Sequence, residues 1–484
     1  MLQYFKENPW QILLIANYVI AISAAVSVIL SNLNPTKTFS YLIILVAFPF
    51  LGVVIYYLFG QQYRKNKIFK RKNIFNQDKI LEWKKRFQFK EEILKDLENE
   101  IVDDKIKLIK LLCSNNESPL TIYNKVELII NGDEKFERLI EDIKNARQTI
   151  HLEYYIVRDD QIGNKILDLL CEKANEGIKV RLITDDVGSS ISFRKQREIR
   201  KKGIEFNPFM PVLFHKFTSK LNYRNHRKIA VIDGEVGYVG GINISDNYVN
   251  DNKDLFWRDT HLRIEGEAVS SLQLQFLLNW DFVTSEKIIV EDHFFPQCNI
   301  KTKTPIQIAA SGPDSDWSYI MEAIFTAINT ADESICITTP YFIPSEEIIF
   351  SLVSIARSGV EVKLIIPKES DSWVSKYATL SFVEQVLEAG VRVFLYKKGF
   401  VHAKTMVVDG VFTTIGTSNM DYRSFRTNFE VNALIYDSKF SQETLQSFNE
   451  DLKECDELNY KDWVKRKPVQ KIQESFCRLW APLL

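Results

Sequence analysis

The sequence contains little that would support metal, redox or nucleotide chemistry. Its 484 residues include six cysteines, which are scattered without a C-x-x-C pair, and six histidines without an H-E-x-x-H motif. This spacing indicates reduced thiols in a cytoplasmic compartment and argues against a zinc site or a disulfide framework. No G-x-x-x-x-G-K-[ST] loop is present to cradle the phosphates of a nucleotide. We therefore expect chemistry that needs no cofactor.

An excess of basic residues is also absent. The chain has 62 Lys and Arg residues against 63 Asp and Glu residues, which gives a net charge of −1. A nucleic-acid-binding protein usually carries a basic field, so this balance disfavours a nucleic-acid partner. Apolar residues make up 45% of the chain and charged residues 26%, which is ordinary for a folded protein. The length exceeds that of one ordinary core, so we expect two or more globular units.

Two long uncharged stretches stand near the N-terminus, at residues 10–30 and 39–59. A helix over either stretch would be about 31 Å long, enough to cross the core of a bilayer. A cleaved signal peptide explains the first stretch less well, because its apolar run is long and a second run follows at once. The loop between them carries one cation, Lys37, whereas basic residues crowd positions 64–72. The positive-inside rule then predicts a transmembrane hairpin at residues 1–62, with both termini and the rest of the chain in the cytoplasm.

Residues 63–119 are predicted to connect this hairpin to the rest of the chain. The segment begins with the basic block, which we expect to lie against anionic headgroups. Residues 73–116 are charged, with apolar residues at loose helical spacing. Both a helix lying on the membrane and a solvated helix with one core-facing stripe fit this pattern.

From residue 120 onwards an α/β pattern occurs twice. Each copy has a helix, a closing glycine and a buried strand, at residues 166–174, Gly177 and 178–183 and again at residues 348–356, Gly359 and 360–366. Such self-similarity indicates internal duplication. Strands alternating with helices predict a β-α-β sandwich in each copy. We therefore predict an α/β protein with two duplicated halves, residues 120–300 and 301–484, which share one active site.

Each half carries the same spaced motif, H-x-K-x-x-x-x-D. Its members are His226, Lys228 and Asp233 in the first half, and His402, Lys404 and Asp409 in the second. Residues two apart on a strand share a face, so the histidine and lysine of each motif should point to the same side. The apolar residues that follow predict buried strands at 229–232 and 405–408, each ending in an Asp-Gly turn. A pair of small residues and an asparagine come next, Asn243 in one half and Asn419 in the other.

This set of side chains suits an anionic phosphoryl centre. Two histidines on opposite sides of a phosphate can serve as nucleophile and acid. The two lysines would stabilise the charge on the phosphate oxygens, and Asn243 and Asn419 would donate hydrogen bonds to them. Asp233 and Asp409 complete the motif that we assign to catalysis. Each precedes glycine in a turn, however, so a salt bridge or a turn cap is the favoured role for these two carboxylates.

The two motifs resemble the paired HKD motifs of the phospholipase D superfamily. Further stretches resemble bacterial cardiolipin synthases, at residues 41–60, 183–188, 222–228, 257–266, 310–314, 339–344 and 478–484. The chain departs from that family at residues 278–281, where an acidic residue is expected before Trp280. We assign this departure to packing and not to the site.

The resemblance also implies carboxylates that orient the histidines. In this superfamily a carboxylate about 30 residues beyond the histidine holds its second ring nitrogen, which fixes the tautomer and raises the basicity. The candidates are Asp259, which follows His226 by 33 residues, and Glu430, which follows His402 by 28 residues.

The implied activity is that of a phosphatidyltransferase in the membrane. One phosphatidylglycerol would pass its phosphatidyl group to another through a phosphohistidine, giving cardiolipin and glycerol. His226 would be the nucleophile and His402 the acid, although duplication makes the two roles formally interchangeable. Rival interpretations are a membrane-bound phospholipase D-type hydrolase, another phosphatidyltransferase, a nuclease and a non-enzymatic membrane scaffold. The near-neutral charge and the predicted membrane hairpin disfavour the nuclease, and a scaffold would not need both motifs intact. The sequence leaves the oligomeric state open.

Overall fold

The computed structural model describes residues 9–30, 35–56, 78–87, 103–113, 118–210, 223–251, 256–284, 288–315 and 317–484. These residues belong to two compact units, one drawn from segments 1–68 and 212–223, and the other from segments 69–211 and 224–484. The helices of the described part are α1 (Pro9–Leu30), α2 (Pro35–Ala47), α3 (Pro49–Ile55), α4 (Asp78–Arg86), α5 (Asp103–Cys113), α6 (Asn131–Asn145), α7 (Gln161–Asn175), α8 (Phe193–Lys201), α9 (Val269–Thr284), α10 (Tyr319–Asn329), α11 (Glu346–Arg357), α12 (Trp373–Glu388), α13 (Tyr422–Arg426), α14 (Ser438–Lys453), α15 (Tyr460–Val464) and α16 (Pro468–Arg478). Short 3-10 helices lie at Asp246–Tyr248, Asp292–Phe294 and Ala481–Leu483.

The strands of the described part all lie in the larger unit. They are β1 (Thr121–Ile130), β2 (Thr149–Tyr154), β3 (Lys179–Asp185), β4 (Glu205–Phe209), β5 (Lys228–Ile232), β6 (Val236–Gly240), β7 (Phe256–Arg258), β8 (Thr260–Gly266), β9 (Lys303–Ser311), β10 (Ser334–Thr338), β11 (Phe342–Ile343), β12 (Glu361–Pro367), β13 (Arg392–Tyr396), β14 (Gly399–Val401), β15 (Thr405–Val408), β16 (Phe412–Gly416), β17 (Met420–Asp421), β18 (Glu430–Ile435) and β19 (Cys455–Glu457). The helix and strand predicted at residues 166–183 and again at 348–366 are confirmed as α7 and β3 and as α11 and β12.

In the N-terminal unit, α1 is the described helix that is long and apolar enough to cross a membrane, over Leu13–Leu30. The stretch predicted as one helix at 39–59 differs, because its described part forms two helices, α2 and α3. Phe48, the residue before Pro49, leaves the helical region at φ −137° and ψ 71°, as steric contact with a following proline favours. The end of that stretch, residues 57–59, lies outside the described residues, as does the basic block at 64–72.

Small and apolar residues hold the three N-terminal helices together. Ala21, Ala24 and Val28 of α1 are buried in one cluster with Leu45 and Tyr56. The hydroxyl groups of Ser27 and Tyr56 lie 2.9 Å apart. Alanine lets helices approach closely, which favours packing where the surroundings are as apolar as the helices themselves.

The larger unit is built on a sheet that shows the duplication directly. The first half orders its strands β1-β8-β6-β5-β2-β3-β4, and the second half orders its strands β9-β18-β16-β15-β10-β12-β13-β19. In each half a parallel trio, β2-β3-β4 or β10-β12-β13, borders an antiparallel motif strand, β5 or β15. Antiparallel pairing of β1 with β9 joins the halves into one sheet of 15 strands within the described residues.

The first motif strand, β5, contributes to a core that the two halves share. Residues Lys228–Ile232 of β5 are all buried, as the apolar run predicts. Val231 of β5 belongs to a buried cluster with Ile308 of β9 and with Ile415 and Val431 of the second half. Apolar contacts with β9, β16 and β18 therefore hold β5 against the second half.

The connecting region includes two described helices that pack against the duplicated halves. Ile80 and Trp83 of α4 are buried, and the indole of Trp83 donates a hydrogen bond to Ser270 of α9 at 2.9 Å. On α5, Ile109 and Leu112 are fully buried in the core of the second half. Each of these two helices therefore packs one apolar stripe against the core. Residues 88–102 lie outside the described part.

Candidate active site

The two motifs meet at a single cavity of about 510 Å³ in the larger unit. Its wall includes His226 and Asn243 from the first half, and His402 and Asn419 from the second half. Both histidines are more than nine-tenths buried. The structure thus brings together the four motif side chains that the sequence predicts around one phosphoryl centre.

Each histidine is held by the carboxylate of the opposite half. The Nδ1 atom of His226 lies 2.9 and 3.0 Å from the two carboxylate oxygens of Glu430, and the Nδ1 atom of His402 lies 2.7 Å from Asp259. The spacing of the sequence suggested the reverse pairing, with each carboxylate serving the histidine that precedes it in the chain. When Nδ1–H donates to a carboxylate, Nε2 keeps the lone pair that can attack phosphorus or carry a proton.

Backbone pairing between the halves explains why the contacts cross. The N–H of His226 donates to the carbonyl of Phe429 at 2.9 Å, and the N–H of His402 donates to the carbonyl of Arg258 at 2.6 Å. These carbonyls belong to the residues just before Glu430 and Asp259. Parallel pairing of β14 with β7 and an isolated bridge between Asn225 and Phe429 complete both junctions. Backbone and side chain of each histidine therefore bind the same dipeptide of the other half.

The motif lysines lie behind the histidines, outside the wall of the cavity. The Lys228 ammonium donates to the carbonyl of His226 at 2.7 Å, and Lys404 donates to the carbonyl of His402. Burial lowers the pKa of Lys228 to about 7 and that of Lys404 to about 8. The lysines thus place positive potential beneath the cavity floor, where a phosphate anion would strengthen their protonated form.

The motif asparagines line the cavity and are held by neighbours. Asn243 donates to the hydroxyl of Tyr248 at 2.7 Å and accepts the N–H of Ile156 at 3.1 Å. Asn419 donates to Asp421 at 2.9 Å. An amide has two N–H donors, so each of these side chains keeps a donor for a ligand.

The motif aspartates take the turn role that the sequence favours over catalysis. Asp233 and Asp409 have φ values of 54° and 53° and precede glycines that also have positive φ, as in a type I′ hairpin turn. Asp233 accepts three backbone N–H groups of residues 147–149, each at 2.8 Å. Asp409 accepts the N–H groups of residues 332–334 and the ammonium of Lys105 at 3.1 Å. Neither lines the cavity, so their place in the predicted catalytic set is corrected to a structural one.

Electrostatics favour neutral rings in the substrate-free site. Burial, reinforced by the charge of Lys228, lowers the pKa of His226 well below its usual range. Burial and the charge of Lys404 lower the pKa of His402 to about 4. Burial raises the pKa of Glu430 to about 7. An anionic phosphodiester between the rings would oppose these shifts and favour protonation of one imidazole.

A buried polar network behind His226 went unnoticed in the sequence. Glu153 of β2 accepts the side-chain amides of Asn225 at 2.7 Å and of Asn279 at 2.6 Å. Asp185 accepts the backbone N–H of Asn225 at 2.9 Å. The residue before the histidine is thus fixed from two sides. Asn279 belongs to the departure at residues 278–281, which therefore reaches the support of the site as well as packing.

The two flanks of the cavity differ in character. Arg224 and Arg423 lie on the wall beside His226, and the charge of Arg423 contributes to the lowered pKa of that ring. Around His402 the neighbours are aromatic. The rings of Trp257, Phe400 and Tyr248 have centroids 5.7, 5.8 and 5.9 Å from the imidazole.

Comparison with known proteins agrees with this architecture. The family model described as "Cardiolipin synthase, PLD-like domain" matches residues 139–277 and 324–452, and a "Phospholipase D-nuclease N-terminal" model matches residues 19–61. The chain is similar in fold to phosphatidylserine synthase of Haemophilus influenzae Rd KW20, with a TM-score of 0.60 at 16% identity, over 78% of this chain and 100% of the other.

Relatives with curated names match over nearly the whole chain. Cardiolipin synthase of Listeria monocytogenes serotype 4a is 40% identical over 98% of both chains. Cardiolipin synthase of Geobacillus sp. (strain WCH70) is 38% identical over 99% of this chain and 96% of its own length. Cardiolipin synthase 2 of Bacillus anthracis is 39% identical over 94% of this chain and 88% of its own length. The chain therefore belongs to the cardiolipin synthase family of phospholipase D-like enzymes.

Proposed function

We propose that this protein is a membrane phosphatidyltransferase that converts two molecules of phosphatidylglycerol into cardiolipin and glycerol. The observation that carries the proposal is the convergence of His226 and His402 on one cavity, each with its Nδ1 atom held by a carboxylate of the other half. The names of the curated relatives support the same activity. One phosphodiester is exchanged for another, so the reaction needs no nucleotide.

In the first step, Nε2 of His226 attacks the phosphorus of the donor lipid. The bond from phosphorus to the glycerol oxygen breaks, and His402 donates a proton to that oxygen, so glycerol leaves. The product is a phosphatidyl-histidine. Glu430 holds the opposite nitrogen of the nucleophile, and Asp259 stabilises His402 when that ring is protonated.

The second step reverses the first with a new alcohol. A headgroup hydroxyl of a second phosphatidylglycerol attacks the phosphorus, and His402 accepts the hydroxyl proton. The bond between phosphorus and His226 breaks, which restores the enzyme and releases cardiolipin. Arg158, Arg224 and Arg423 on the cavity wall suit a dianionic pair of phosphodiesters, since guanidinium groups bind phosphate oxygens in a fixed geometry.

Membrane attachment fits substrates that are lipids. We infer that α1 anchors the chain, that α2 and α3 belong to a second membrane-associated segment, and that the basic residues at 64–72 hold the duplicated halves on the cytoplasmic side. Phosphatidylglycerol and cardiolipin would then be the partners. We also propose that the two duplicated halves divide at residue 300, just before β9.

The test follows lipid products from phosphatidylglycerol alone, with purified protein reconstituted in lipid. We expect cardiolipin and free glycerol in equal amounts. His226→Ala and His402→Ala should each abolish turnover, whereas His293→Ala should not. His293 is the matched control because its ring pairs with Glu291 at 3.3 Å and lies away from the cavity.

Other products would overturn the proposal in distinct ways. Phosphatidic acid in place of cardiolipin would make water the acceptor and the protein a hydrolase. Full turnover by either cavity variant would refute the two-histidine mechanism, whatever the product.

A further inference from the structure

A tyrosine and a carboxylate form an exposed hydrogen-bonding pair on the wall of the cavity. Tyr341 follows β10, and Asp371 lies in the loop between β12 and α12. The tyrosine hydroxyl donates to the Asp371 carboxylate, with oxygen distances of 2.7 and 2.8 Å. Both residues line the cavity, at the carboxyl ends of parallel strands where α/β sheets commonly bind ligands.

This pair lies on the flank of His402. The Tyr341 ring lies 6.4 Å from that of Phe400, which in turn lies 5.8 Å from the imidazole of His402. Burial lowers the pKa of Lys404, and Asp371 is among the carboxylates that oppose this shift. Geometry and electrostatics therefore put Asp371 on the side from which His402 would exchange a proton with an alcohol.

The Asp371 carboxylate keeps acceptor capacity for a ligand. It accepts the hydroxyl of Tyr341 and a weaker bond from Ser370 at 3.3 Å. Among the described residues, no lysine or arginine pairs with it. An ionised carboxylate offers about four lone pairs, so two more hydroxyl groups can donate to it.

In the described part of the first half, no such pair lies beside His226. There the loop after β3 packs Gly188 against the ring of Tyr155, where an added Cβ would lie 2.5 Å from a ring carbon. Asp185, the last residue of β3, is fully buried and accepts the N–H groups of Val187, Gly188 and Asn225. Among the described residues, the cavity wall therefore carries an exposed carboxylate with spare acceptor capacity on the flank of His402 and not on that of His226.

We propose that Tyr341 and Asp371 form a subsite for the vicinal diol of a glycerol headgroup. The inference rests on the proposed function and assigns its alcohol specificity. Two adjacent hydroxyls of glycerol donate to the Asp371 carboxylate, and the third oxygen faces His402. The leaving glycerol of the donor binds the pair through both hydroxyls in the first step. The acceptor enters along the same path in the second step, and because one of its glycerol oxygens is esterified to its own phosphate, it donates its middle hydroxyl to Asp371 while its terminal hydroxyl faces His402.

The experiment runs the reaction backwards with a soluble alcohol, which separates the subsite from membrane binding. Protein in mixed micelles with cardiolipin receives glycerol or propane-1,3-diol, and the new phosphatidyl alcohol is measured. Wild-type protein should prefer glycerol, which has adjacent hydroxyls. Asp371→Ala and Tyr341→Phe should raise the KM for glycerol, by about tenfold for the aspartate, and leave the KM for propane-1,3-diol nearly unchanged.

Glu369→Ala supplies the matched control. Glu369 is an exposed carboxylate two residues from Asp371 that pairs with Lys376 at 2.6 Å and does not line the cavity. Its variant should keep the wild-type KM for both alcohols. A general loss of folding would lower kcat for both alcohols together, which differs from the selective change in KM expected for Asp371→Ala.

The outcomes separate the subsite from the proposed function. Wild-type protein that forms neither phosphatidylglycerol from cardiolipin and glycerol nor cardiolipin from phosphatidylglycerol would overturn the function. Active wild-type protein with an Asp371→Ala variant that keeps its preference for glycerol would overturn the subsite alone. An Asp371→Ala variant whose KM rises equally for glycerol and for propane-1,3-diol would show that the pair does not recognise adjacent hydroxyls, and would also overturn the diol proposal.

Discussion

His226 and His402 occupy matching positions in two copies of one fold, yet their surroundings have diverged. Two residues before the histidine, the first copy has Arg224 and the second has Phe400. His226 therefore lies beside arginines of the wall as well as the ring of Tyr155 at 5.0 Å. Three aromatic rings surround His402 at 5.7 to 5.9 Å. Divergence on this scale is what two different tasks, attack on phosphorus and proton exchange with an alcohol, would require.

The support behind the two histidines differs as well. Behind His226, Glu153 and Asp185 hold Asn225 through buried hydrogen bonds. Behind His402, the flanking residues Val401 and Ala403 are apolar and buried among side chains such as Val407. Duplication preserved the backbone frame, and polar or apolar packing around it set the character of each copy.

The largest effect should come from the carboxylates that hold the histidines. Asp259→Asn should lower kcat about a hundredfold across pH 6 to 8, because a neutral amide cannot stabilise a protonated His402. Glu430→Gln should cost less at pH 6 than at pH 8. The pKa of Glu430 is raised to about 7, so below that pH the wild-type side chain is mostly protonated and resembles glutamine.

Cardiolipin formation measured over this pH range gives both profiles. The melting temperature of each variant serves as the control for folding. Equal losses at all pH values for the two variants would contradict the division of roles between the two flanks.

The second effect compares the two hairpin turns. Asp409→Ala should lower the free energy of unfolding by about 3 kcal/mol, because it leaves the ammonium of Lys105 buried without its carboxylate. Although burial opposes it, N–H groups of Ser334 and Glu333 and the Lys105 charge hold the pKa of Asp409 below its usual value. Asp233→Ala loses backbone hydrogen bonds but leaves no described buried cation without its carboxylate, so it should cost about 1 to 2 kcal/mol.

Denaturant unfolding of the purified variants measures this difference. Adding Lys105→Met to Asp409→Ala should recover part of the loss, since the double variant buries no unpaired charge. Equal destabilisation by Asp233→Ala and Asp409→Ala would show that the ion pair adds nothing to the second turn. The kcat of the folded protein should stay near wild type in both cases.

The elements that could be predicted from the sequence are those controlled by local residue patterns. Apolar runs predicted β5 and β15, and the Asp-Gly pairs predicted their turns, because periodicity and positive φ are properties of a few neighbouring residues. The break at Pro49 also had a local signal, since proline disfavours a helical conformation in the residue before it. Duplication was readable because the same order of helix, glycine and strand occurs twice.

The pairing of each histidine with the carboxylate of the other half could not be predicted from the sequence, for a physical reason. His226 and Glu430 are 204 residues apart, and His402 and Asp259 are 143 residues apart. Their pairing is decided by which backbone segments meet where the two halves join, and spacing along one copy carries no information about that. Asn279 was misjudged for the same reason, because its partner Glu153 lies 126 residues away.

The smallest effect tests the buried polar network around Glu153, which distinguishes the described part of the first copy from that of the second. Burial raises the pKa of Glu153 to about 7, so the folded protein binds this proton more tightly than the unfolded chain. Its contribution to stability is therefore greatest below about pH 4.5 and is lost as the pH rises to about 7.

Glu153→Gln keeps the acceptor for Asn225 and Asn279 without the charge. Between pH 5 and pH 8 the free energy of unfolding of the variant should rise by on the order of 2 kcal/mol relative to that of the wild type. The difference between the two melting temperatures, measured at each pH, shows this change. Thr338 of β10 occupies the equivalent position in the second copy, and Thr338→Val supplies a control without a titrating group. A difference between Glu153→Gln and wild type that does not change with pH would mean that Glu153 stays ionised and paired throughout, and the two copies would then differ in packing alone.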